Sequence, residues 1–127
     1  MPAQYVIGID LGTTNSALAY IPVSAASAGA SAQPQADLFG IAQLVNAGEV
    51  REEDLLPSFL YLPGPADFPE GSLALPWDSK PKAFAGYLAQ KRGVENPGRL
   101  VSSAKSWLSH SGVDRTAPIL PANAPEG

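Results

Sequence analysis

The chain has no cysteine and only one histidine, His110. Without cysteine there are no disulfides, thiolate zinc sites or cysteine nucleophiles. His110 lies between Ser109 and Ser111 and reads as a surface residue near a helix end, not as part of a Ser-His-Asp set. Long apolar runs are also missing: nothing approaches the ~20 residues that span a bilayer. The N-terminus, Met1-Pro2-Ala3-Gln4, lacks the basic region of a signal peptide, and an acid arrives at Asp10. A cytoplasmic chain without membrane segments is therefore expected. Excess positive charge is absent too. Lys and Arg total 8 against 12 Asp and Glu, a net charge of −4, which argues against a general nucleic-acid binder.

What is present fits a globular chain. It has 127 residues, 45% hydrophobic and 16% charged, enough for one ordinary domain. Its 13 prolines and 12 glycines predict short elements joined by many loops. Charge is unevenly spread. Residues 1–79 carry one base, Arg51, against nine acids, whereas residues 80–115 carry seven bases against Glu95 and Asp114. Such a basic stretch suits an anionic ligand or partner, and equally a solvated helix face. The acids Glu49, Glu52, Glu53 and Asp54 read as a solvated connection.

Apolar β-branched residues over Gln4–Asp10 predict a buried strand, and Ser16–Ile21 a second strand paired with it across a turn at Gly12–Asn15. Pro22–Ala36 is Ala, Ser, Gly, Pro and Gln with no recurring apolar face, predicting a flexible loop. Leu38–Val45 predicts a third strand and Gly48–Asp54 a polar connection. Leu55–Leu62 reads as a strand with Pro57 near its start, and Ser72–Leu75 as a short edge strand. Ala83–Arg92 begins strand-like and passes into a helix stopped at Gly93. Over Arg99–Ser109 the apolar residues Leu100, Val101, Ala104 and Leu108 predict the best helix of the chain. Trp107 on its flank reads as core or a domain contact. The pattern is α+β or α/β.

Chemistry concentrates in Gly8-Ile9-Asp10-Leu11-Gly12-Thr13-Thr14-Asn15-Ser16. A glycine and threonine turn offers close backbone approach, free amides and hydroxyls, all suited to phosphate oxygens. An acid beside it suits magnesium held through water, because magnesium keeps several waters and adds few carboxylates. The plainer alternative is a hairpin turn in which Asp10 caps backbone amides. The GxxxxGK[ST] pattern of P-loop enzymes is absent.

The string Val6–Ser16, ending in Ile9-Asp10-Leu11-Gly12-Thr13-Thr14-Asn15-Ser16, resembles the first phosphate loop of heat-shock protein 70 (DnaK-like) chaperones. Leu56-Pro57-Ser58-Phe59 is similar to that family's threonine-proline-serine-tyrosine segment. Asn96-Pro97, Val101, Ala104-Lys105 and Leu108 resemble its run around a lysine that reaches toward the γ-phosphate. Residues 25–36 have no counterpart, and Ser106-Trp107-Leu108-Ser109 replaces the usual Arg-Leu-Ile-Gly.

The resemblance implies a partial actin-like (ribonuclease H-like) ATPase fold. Residues 1–55 would supply N-terminal strands of subdomain IA, residues 56–115 a subdomain IB-like part, and residues 116–127 an extended tail. It implies ATP or ADP with magnesium as ligands. Asp10 would support the hydrated magnesium, while Gly12, Thr13, Thr14 and Asn15 embrace the phosphates. Lys105 would help place the attacking water. It also implies ATP hydrolysis that drives release of unfolded peptides, with co-chaperones as partners. The region matched would form one wall of the cleft, so the chain by itself is expected to be inactive. The alternatives are an actin-like or sugar-kinase-like phosphotransferase, and a piece that self-associates through uncovered apolar surface.

Overall fold

A computed structural model of the chain describes residues 1–26 and 33–122. The fold mixes sheet and helix, with 34% strand and 17% helix, and the strands of the described residues fall into three small sheets. The first is built on a hairpin of β1 (Tyr5–Leu11) and β2 (Asn15–Pro22). Its register runs from Tyr5 opposite Pro22 to Leu11 opposite Ser16. A short α1 (Val23–Ala26) follows, at the start of the stretch expected to be a loop. Most of the remainder of that stretch lies outside the described residues. β3 (Asp37–Leu38) and β6 (Leu56–Pro57) both pair antiparallel with β2, at its two ends.

The expected strand Leu38–Val45 is broken at Gly40. Its second half, β4 (Ile41–Asn46), pairs with β5 (Glu49–Glu53) as a separate hairpin turned at Gly48. The acidic stretch expected as a connection is thus a strand. Its charges are tolerated because the outer edge faces water. Glu49 accepts hydrogen bonds from Asn46 Nδ2 (2.7 Å) and Arg51 Nε (2.9 Å). These two partners hold its carboxyl below the usual carboxylate range.

The third sheet places β7 (Phe59–Tyr61) between β8 (Phe84–Ala85) and β9 (Leu100–Ser102). Here the expected helix over Arg99–Ser109 gives way. Leu100–Ser102 pairs residue for residue with β7, so tertiary pairing overrides the helical period. Ser103 then takes a left-handed conformation, φ 52°, and only Ala104–Trp107 forms a helix, α3. Ser72–Leu75 is turn, with a lone bridge between Leu75 and Asp78.

The longest helix, α2 (Tyr87–Glu95), covers the third sheet and β4. Its Leu88 and Ala89 pack with Leu44, Tyr61 and Phe84 to form the core, rimmed by Phe59, Phe68, Leu73, Leu75 and Leu100. The core therefore draws on both sides of residue 55. Gly93 does not stop the helix. It lies within it, where a side chain would overlap Leu100, so its small size lets β9 approach. The helix ends at Glu95, ahead of Pro97, where a proline disfavours helical backbone in the residue before it.

Candidate phosphate-binding turn

The Gly12–Asn15 turn is closed by one backbone bond, Gly12 N–H donating to the Asn15 carbonyl at 3.0 Å. Residue 12 must be glycine, because a Cβ would overlap that same carbonyl oxygen. Thr13 and Thr14 at the tip are exposed. Among the described residues, neither their amides nor their hydroxyls have a hydrogen-bond partner. Two amides and two hydroxyls thus face solvent from a turn held by its flanks.

Those flanks come from distant parts of the chain. β6 brings Ser58 beneath the turn. Its hydroxyl donates to the Gly12 carbonyl at 2.8 Å, and its amide donates to the Thr14 carbonyl at 2.8 Å. The Ser16 hydroxyl lies 3.5 Å from that of Ser58. From the other end of the chain, α3 supplies Lys105, whose Nζ donates to the Leu11 carbonyl at 2.6 Å across 94 residues of sequence. Three stretches singled out in the sequence, Asp10–Ser16, Leu56–Phe59 and Ala104–Lys105, therefore meet at one turn. Lys105 is itself exposed and reaches the turn through that carbonyl.

Asp10 is the last but one residue of β1, opposite Ala17. Alternation along the strand puts it on the face of Val6 and Gly8, opposite to that of Ile9 and Leu11. It is exposed, and among the described residues its carboxylate has no hydrogen bond or ion pair. It does not cap the turn amides. An exposed carboxylate one residue before Leu11, whose carbonyl holds Lys105, is free to meet a hydrated cation. Asn15 opens β2, half-buried, opposite Pro57. Free amides, a glycine that permits close approach, a lone carboxylate and an ammonium group fit a magnesium-nucleotide phosphate chain.

The expectation of a buried first strand is not met. All of β1 is exposed, with Ile7 at 60%, Ile9 at 63% and Leu11 at 65%. Among the described residues β1 pairs with β2 alone, and none of its seven residues is buried.

Residues singled out elsewhere have structural roles. Trp107 is half-buried and stacks on His110, ring centroids 5.3 Å apart. The His110 Nδ1 accepts the Gly112 amide at 3.1 Å. Among the described residues no group of three or more His, Asp or Glu side chains that could hold a metal ion is found. No helix of the described residues is long and apolar enough to cross a membrane.

Two residues that matter carry little sequence signal. Ser58 stands out only as part of a resembling segment, and Gln43, on β4, gives none, because a glutamine between apolar residues looks like any exposed strand position. No family model, no curated protein and no solved structure matches this chain.

Proposed function

We propose that this chain carries the phosphate-binding wall of a magnesium-nucleotide site of the heat-shock protein 70 (DnaK-like) kind, set in part of an actin-like (ribonuclease H-like) ATPase fold. The observation that carries the reading is the arrival of Lys105 at the Leu11 carbonyl, 2.6 Å away, beside a turn with free amides. A resemblance spread over the sequence could arise piecemeal. Its parts meeting in space at a chemically apt turn is a stronger support.

In this reading Gly12, Thr13, Thr14 and Asn15 bind β- and γ-phosphate oxygens through backbone and hydroxyl donors. Asp10 holds magnesium through water, and the ion supplies charge neutralisation on the phosphates. Lys105 exchanges a neutral carbonyl for the γ-phosphate, a stronger partner for an ammonium. Catalysis at such a site is positioning and electrostatics, with donors aimed where charge spreads in the transition state. ATP hydrolysis coupled to the binding of unfolded peptides, with co-chaperones, is the function proposed for a complete domain of this kind.

The test is calorimetric titration of the chain with ATP and ADP, with and without magnesium, alongside Asp10→Ala and Lys105→Ala. Magnesium-dependent binding, weakened about tenfold or more in each variant, the scale of a lost charge-assisted bond, is the expected result. Binding that ignores both substitutions would place the ligand elsewhere.

A second reading is favoured by the exposure of β1. Its edge, unpaired among the described residues, and the apolar row Tyr5, Ile7, Ile9 and Leu11 suit strand-to-strand association with a second copy of this chain.

A further inference from the structure

We propose that Ser58 is a positioning residue that aims the turn's amides at the phosphates, an inference that rests on the magnesium-nucleotide reading above. The argument is one of peptide geometry. Ser58 fixes two carbonyls of the turn at once, Gly12 through its hydroxyl and Thr14 through its amide, each at 2.8 Å. The Gly12–Thr13 and Thr14–Asn15 peptides are trans. In a trans peptide the N–H points opposite to the C=O. Anchoring the Gly12 carbonyl to Ser58 therefore turns the Thr13 N–H to the side away from Ser58. That amide has no partner within the described residues. The same logic turns the Asn15 N–H away from the serine.

Without the hydroxyl, the Gly12–Thr13 peptide is free to rotate, and a glycine on one side offers little resistance. The free amide would then be aimed only part of the time. Ser58 itself is well placed to resist. It follows Leu56–Pro57, whose pairing with Ser16 and Asn15 fixes the backbone beneath the turn, and it precedes β7, which is anchored in the core through Tyr61. The core thus sets the turn through one residue.

Ser58→Ala and Ser58→Thr separate this role from a merely structural one. Two quantities are read: amide hydrogen exchange of Gly12 in the ligand-free chain, and affinity for Mg-ADP followed at the Thr13 amide by NMR. Ser58→Ala is expected to speed exchange at Gly12 and weaken Mg-ADP about three- to tenfold, the scale of one net hydrogen bond. Ser58→Thr, which keeps the hydroxyl, restores both to within about twofold, and amides of β7 and β9 stay as in the parent chain. Unchanged affinity in Ser58→Ala overturns the proposal alone, even where exchange at Gly12 quickens, since the serine is then only a tie. No Mg-ADP binding by the unsubstituted chain overturns the nucleotide reading and the Ser58 role with it.

Discussion

Gln43 is buried yet fully used. Its Nε2 donates to the Leu55 carbonyl at 2.9 Å, and its Oε1 accepts the Tyr87 amide at 2.9 Å. One side chain joins β4, the segment leading to Ser58, and the start of α2. Gln43→Leu keeps volume but leaves the part-buried Leu55 carbonyl and Tyr87 amide without this partner, so a loss of about 1–3 kcal/mol is expected. Urea unfolding should show it as a lower midpoint at unchanged slope. Asp67 gives a pH-dependent counterpart. Its Oδ2 accepts the Gly64 amide at 2.7 Å and the Tyr61 hydroxyl at 3.0 Å. The Gly64 bond above all, then that of Tyr61, holds its carboxyl below the ordinary value of 3.8, against the opposing effect of burial. A depressed carboxyl contributes stability that is present above the unfolded value and lost as pH falls through the folded one. Asp67→Asn should therefore be less stable than the parent near neutrality, by about 1 kcal/mol. The gap should close as pH falls below that ordinary value, and thermal melts across pH 2–7 check both.

At the scale of elements, the sequence was most legible where local chemistry rules. The hairpin turn at Gly12–Asn15 follows from glycine and small polar residues, and it stands where they are. The start of α2 after a short strand was readable for the same reason. Legibility failed where a distant partner decides. Leu100–Ser102 has a helical pattern with its neighbours, but β7 offers it a strand, and Gly93 signals a stop while serving as a gap for Leu100. Gly86, whose place before α2 was readable, also answers to distant partners. Its φ of +99° precedes α2, and a Cβ there would press on Gln43 Oε1 and Leu56 Cδ1. Gly86→Ala is expected to cost about 1–3 kcal/mol, from backbone strain and the clash together. It should also loosen the Leu56–Ser58 segment beneath the turn. Faster amide exchange at Ser58 would show this, whereas an unperturbed Ser58 would mean that the glycine matters only to the helix.

For the whole molecule, the apolar content is divided unequally. Leu44, Tyr61, Phe84, Leu88 and Ala89 make one core, while the β1–β2 sheet keeps Tyr5, Val6, Ile7, Ile9 and Leu11 in water. The candidate site is built on the hairpin, steadied from the core side by Ser58 and from the exposed α3 by Lys105. β1 amides should exchange faster than those of β7, since local opening tracks missing burial. The same surface should drive concentration-dependent association in sedimentation. Ile7→Lys and Ile9→Lys, by adding charge to the exposed row, are expected to return the chain to monomer. Association unaffected by either would remove β1 as its cause.

The most direct test of the central claim is an amide and lysine-side-chain NMR map of the chain titrated with Mg-ADP to about 10 mM, where even a site worth ~2.7 kcal/mol is half filled. The account expects Gly12, Thr13, Thr14 and the Lys105 Nζ signals to shift together, with magnesium and not without it. Shifts confined to other basic residues such as Lys91 and Arg51, or none at the turn, would contradict it.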